Sequence, residues 1–104
     1  MYRVTTPEHT FTLPETVSSY KVVQVAYRQG STKFIKTYAD GETSPGMYVN
    51  GSTVVVTLTQ EETKKFKKGE ASVQVRALTQ TDTAVASKQF TFSVEDVNNE
   101  DILK

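Results

Sequence analysis

The chain has 104 residues, 12 basic and 12 acidic side chains that cancel to zero formal charge, and no cysteine. That length is one domain, and roughly 60–70% of the unfolded surface can be buried at this size. The composition excludes disulfides, thiolate metal sites and a cysteine nucleophile, and zero charge argues against sequence-independent DNA binding, which needs many basic contacts.

No apolar stretch approaches the ~20 residues of a membrane span. The opening MYRVTTPEHT carries no run of signal-peptide character. Met1-Tyr2 suggests an unprocessed start, and the expectation is a soluble protein made in a cytoplasm without an export route of its own. Threonine is abundant, at 16 residues, and Val, Tyr and Phe are common. Such β-branched and aromatic residues fit a pleated, half-buried surface.

In chain order, HTFTL (9–13) alternates with Phe11 and Leu13 on one face, and Pro14 ends it. In SYKVVQVAYRQG (19–30), Val23, Val25 and Tyr27 alternate with Val22, Gln24 and Arg28. Gly30-Ser31 predicts a hairpin turn into KFIKTYA (33–39). There Phe34, Lys36 and Tyr38 alternate with Ile35, Thr37 and Ala39, so both faces are mixed. Asp40-Gly41 begins a polar connection through Pro45-Gly46. MYV (47–49) is a short edge strand before the turn pair Asn50-Gly51. STVVVTL (52–58) points Val54, Val56 and Leu58 one way; ASVQVRAL (71–78) points Ala71, Val73, Val75 and Ala77 inward and Ser72, Gln74 and Arg76 outward. After the turn TQTDT, SKQFTFSVE (87–95) sets Phe90, Phe92 and Val94 against Gln89, Thr91 and Ser93. Six or seven such segments at roughly ten-residue spacing predict an all-β, immunoglobulin-like antiparallel sandwich of about seven strands with one short crossover helix. One domain covers 1–96, and 97–104 form an acidic tail.

Between the fifth and sixth core strands lies TQEETKKFKKG (59–69), with four lysines around Phe66. Thr59 and Glu62 have capping-box spacing. Acids fill the first turn and lysines the last, as the helix dipole favours. Gly69 suits a left-handed residue after the helix. This predicts two turns of helix, Gln60 to Lys67, crossing between the sheets with Leu58 and Phe66 in the core and the lysines in solvent. The stretch is therefore a connection rather than a nucleic-acid or membrane patch.

No catalytic pattern stands out. His9, the single histidine, precedes a strand edge and is expected to face solvent. Asp40 and Glu42 are too few for a Ca²⁺ loop. Glu95, Asp96, Glu100 and Asp101 are a solvated acidic end rather than a paired-carboxylate site. Asn50-Gly51-Ser52 is a glycosylation sequon without a secretion signal, so it is a turn. The expectation is a non-enzymatic protein without cofactor or metal. Among Tyr20, Tyr27, Phe34, Tyr38 and Tyr48 most are expected in the core, with some left exposed for binding.

The run VVVTLTQEETKKFKKGEASVQVRAL, followed by SKQFTFSVEDV and DIL, resembles a class of short proteins encoded in phages and prophages of Gram-positive bacteria. The matching pieces are Leu58 to Phe66, Val73 to Arg76 and Val94 to Val97, within roughly residues 53 to 103. The chain is similar, more loosely, to the immunoglobulin-like opening domain of phage baseplate proteins. The resemblance implies a virion or virion-assembly component, made in the host cytoplasm, with other virion proteins or itself as partner; charge and composition already argue against nucleic acid or membrane as a partner. Alternatives are a carbohydrate- or host-surface-binding module and a small intracellular inhibitor of a host protein.

Two surfaces are candidates for a protein partner. Gln74 and Arg76 on one strand should lie near Gln89 and Thr91 on the next, because a short turn joins them. Ile102 and Leu103 end the acidic tail with no core left to join, so they fray, fold back or dock.

Overall fold

The computed structural model describes residues 1–87 and 89–104. It is a sandwich of two antiparallel sheets. One sheet has three strands: β1 (Glu8–Thr12), β6 (Thr53–Thr57) and β5 (Met47–Asn50), in the order β1-β6-β5. The other has the order β4-β3-β2-β7, built from β4 (Glu42–Thr43), β3 (Thr32–Ala39), β2 (Tyr20–Gln29) and β7 (Gly69–Thr79). The long β7 pairs at one end with β8 (Ala84–Ala86) and at the other with β9 (Phe90–Val94). In immunoglobulin terms β1, β6 and β5 take the places of B, E and D, and β2, β7 and β8–β9 those of C, F and G. Among the described residues nine strands stand where the pattern predicted about seven. The additions are β4 and β8, two and three residues long, too short to show alternation. Of the predicted strand 87–95, Lys88 lies outside the described residues.

The turns follow their chemistry. Gln29 and Thr32 are partners, so Gly30-Ser31 is a two-residue hairpin loop. Gly30 has φ +57° while Ser31 stays negative, the II′ arrangement that matches the strands' right-handed twist.

Period-2 alternation places Val23, Val25 and Tyr27 of β2, Val54 and Val56 of β6, and Ala71, Val73, Val75 and Ala77 of β7 between the sheets, all buried. Leu58 and Phe66 are fully buried beside them. Phe66 packs edge-on to Phe92 (ring centroids 6.0 Å) and tilted against Phe34 (5.3 Å). The lysines on either side of it, Lys64, Lys65, Lys67 and Lys68, are exposed.

The crossover helix α1 is shorter than the predicted Gln60 to Lys67: it spans Gln60–Lys64. Its capping box forms, with the Glu62 N–H donating to the Thr59 hydroxyl (3.1 Å) and the Thr59 N–H to the Glu62 carboxylate (2.9 Å). It ends early because the Phe66 N–H donates to the Thr63 carbonyl (3.2 Å), tightening the last turn and driving Phe66 inward. Arg3 then donates to the carbonyls of Lys64 and Phe66, which the helix leaves without partners. Gly69, expected just after the helix, instead opens β7.

Candidate functional site

The outward face of the six-stranded sheet carries the residues that the sequence singled out. Polar residues alternate with the buried ones along β2 and β7, and the pairing aligns them: Gln24 opposite Arg76, Ala26 opposite Gln74 and Arg28 opposite Ser72. On the other side of β2, Arg28 is opposite Lys33 and Ala26 opposite Ile35. Together with Gln89 these line a shallow concavity of about 580 Å³. The Gln74 side-chain amide donates to the Ser87 carbonyl (2.8 Å), which fixes Gln74 flat on the sheet. Thr91 is opposite Ser72 and lines a smaller adjoining hollow with Gln89. So Gln74, Arg76 and Gln89 share one concavity, and Thr91 borders it.

This face is cationic. Arg28, Lys33 and Arg76 line the concavity, and no carboxylate does among the described residues. Arg28 and Lys33 sit directly opposite on neighbouring strands, a like-charge arrangement that costs stability. Glu70, in the adjoining hollow with Arg28, forms no ion pair with it among the described residues. Most basic side chains on this face thus keep their charge available to solvent or a partner.

The tail folds back rather than extending away. Leu103 exchanges two hydrogen bonds with the Gln60 side chain (2.8 and 2.9 Å). Asp96 and Glu100 both meet the Arg3 guanidinium. Ile102 is half-buried, but Leu103 is 78% exposed. Arg3 therefore joins three things: the end of α1, the end of β9 and the tail. Nothing in the sequence marked it, because all its partners are more than 60 positions away.

His9 does not face solvent as expected. Its ring lies against Tyr27 (5.6 Å) and Phe92 (5.8 Å), and Nδ1 is 2.6 Å from the Tyr27 hydroxyl. The cause is its parity: His9 and Phe11 share the inward face of β1. Burial, with a smaller contribution from the N-terminal charge, holds the imidazole below its usual range, so it is neutral at pH 7. The hydroxyl of fully buried Tyr27 needs a partner there, and His9 provides it.

A second inward polar pair was not foreseen. Lys36, on the same face as Phe34 and Tyr38, is 8% exposed. Its ammonium meets the Glu62 carboxylate (2.7 Å) and donates to the Pro45 carbonyl (2.9 Å). Burial raises the Glu62 pKa, but hydrogen bonds from Lys36 and Thr59 and the lysine charge outweigh it and leave the carboxyl below its usual range. The pair is satisfied and built into the fold, which marks it as structural. Of the aromatics, Tyr20, Tyr27 and Tyr38 are buried, Phe34 is half-buried and Tyr48 is 60% exposed.

Among the described residues, no three His, Asp or Glu side chains gather where a metal could be held. No helix is long and apolar enough to cross a membrane. Comparisons with protein-family models, with curated proteins and with solved structures find no match.

Proposed function

We propose that the protein is a non-enzymatic structural module of a phage particle or of its assembly, docking a protein partner through the outward face of the six-stranded sheet. The observation that carries this reading is the cationic concavity of Arg28, Lys33 and Arg76, with Gln24, Gln74 and Gln89 between the charges. Long side chains lying along the open sheet present many donors over a broad area and make the concavity's lining mostly polar. That suits a protein surface better than a small ligand, which needs a deep, mostly apolar pocket. The opposed Arg28 and Lys33 add a preference: a partner carboxylate between them would relieve their repulsion. The partner surface is therefore acidic. The phage context is supported by the sequence resemblance of residues 53–103.

The test is mass spectrometry of particles purified from the strain that carries the gene, with wild-type chain and with the double variant Lys33→Glu, Arg76→Glu. Both positions are on the outward face, so the variant should fold and yet be lost from particles. Deletion of residues 97–104 serves as a second arm, separating a docking role of the tail from one of the sheet face. Equal incorporation of the double variant overturns the role of the face. Absence of the wild-type chain from particles overturns the virion reading and favours an intracellular partner.

A further inference from the structure

The sandwich is open along one side, where β1 edges the three-stranded sheet and β8–β9 edge the other. Between these edges runs an apolar groove in two continuous stretches of about 520 and 400 Å³, both lined by Thr12, Leu13, Val75 and Ser87. Phe11 and Phe92 wall its upper part, and Phe90 is 43% exposed there. The near wall runs from Glu8 to Glu15, about the length of an ordinary strand. In an immunoglobulin domain strand A lies beside B; here no strand pairs with the outer side of β1 among the described residues.

Both edges offer backbone groups. The Pro7 carbonyl accepts from the Leu58 N–H (3.1 Å), and the Leu13 N–H donates to the Ser52 carbonyl (2.8 Å). Odd residues of β1 thus bond toward β6, and the ladder's alternation turns the N–H and C=O of Glu8, Thr10 and Thr12 to the open side. Just past β9 the Glu95 N–H donates to the Met1 carbonyl (2.7 Å) and its carbonyl accepts from the Arg3 N–H (2.9 Å), in a parallel bridge. Thr91 has the same parity, so its backbone groups continue the edge that residues 1–3 occupy at only one end.

We infer that this groove accepts an extended strand of a partner chain, running parallel to β9 and antiparallel to β1, with apolar side chains at alternate positions and neutral or basic ones between. The orientation is that of the existing Met1–Arg3 contact, which the added strand extends along the same edge. The apolar alternation follows from the apolar lining of Val73, Val75, Phe11 and Phe92. The charge preference follows from the walls: Glu8 and Glu15 are their carboxylates, and no lysine or arginine lines them among the described residues. This is strand addition to a sheet edge, in which main-chain bonds give affinity and alternate pockets give selectivity. It is independent of the cationic face.

The probe is a capped nine-residue peptide alternating valine with lysine and threonine, added to ¹⁵N-labelled protein. Saturable amide shifts confined to Glu8–Leu13 and Phe90–Phe92 are expected. They should vanish when prolines replace the lysine and threonine residues, since the ladder donors are lost. They should weaken about tenfold with glutamate in place of lysine and with the protein variant Phe90→Lys, whose fold the same spectrum checks. No shifts at millimolar peptide, or equal shifts with the proline peptide, overturn the inference. Movement of the same amides on raising protein concentration alone, with sedimentation as a dimer, also overturns it, because the occupant is then a second copy.

Discussion

Lys36 Nζ lies 2.7 Å from Glu62 Oε2, so the glutamate that closes the helix cap also neutralises a lysine buried between the sheets. The two roles fix α1 against β3. Removing Glu62 strands the ammonium and opens the cap together. Glu62→Ala is expected to cost about 3 kcal/mol. Lys36→Met keeps the apolar stem and removes the charge, so it should cost less, and adding it to Glu62→Ala should recover part of the loss. Urea titrations of the three variants check this; additive losses would mean that the pair is not coupled.

Phe66 gives the sharpest contrast within KKFKK. It is fully buried, whereas Lys64 and Lys68 are exposed. Phe66→Ala should cost about 3–5 kcal/mol. Lys64→Glu and Lys68→Glu should each stay within about 0.5 kcal/mol. Similar midpoints for all three would show that the aromatic ring does not plug the sandwich.

Gly46 tests backbone constraint. Its φ is +80°, and a Cβ there would lie 2.5 Å from the Thr57 carbonyl oxygen. Gly30 has φ +57° but open space around it. Gly30→Ala should cost about 1 kcal/mol for the left-handed conformation alone. Gly46→Ala adds a backbone clash, and its thermal midpoint should fall clearly further. Equal shifts would leave strain as the whole cause.

Acid should weaken the fold in two windows. The His9 pKa is lower folded than unfolded, so the unfolded chain takes up the proton first. Stability is full above the unfolded value of about 6.5 and declines as pH falls through the folded one. Glu62 is also lowered, so its contribution is present above the ordinary carboxylate range and is lost at lower pH. Chemical denaturation across pH 3 to 8 should show both slopes. His9→Gln should flatten the upper one and leave the lower intact; an unchanged upper slope would assign it to another group.

Much of the architecture was legible because its signals are local. Alternation in each segment named the inward residues of β2, β6 and β7. The Thr59–Glu62 spacing named the cap, and Gly30-Ser31 named its turn. Tertiary contact decided the rest. His9 looked like an exposed end residue until β1 folded it over Tyr27. Lys36 looked like one polar residue on a mixed strand until Glu62 arrived from another element. Arg3 gained its role from carbonyls and carboxylates at the far end of the chain. The open side between β1 and β9 has no local signal at all, because it depends on which strand edges remain unpaired after the sheets close. Period and turn chemistry act over a few residues and can be read from them. Ion pairs, ring contacts and unpaired edges depend on which distant groups meet, and only the folded chain specifies that.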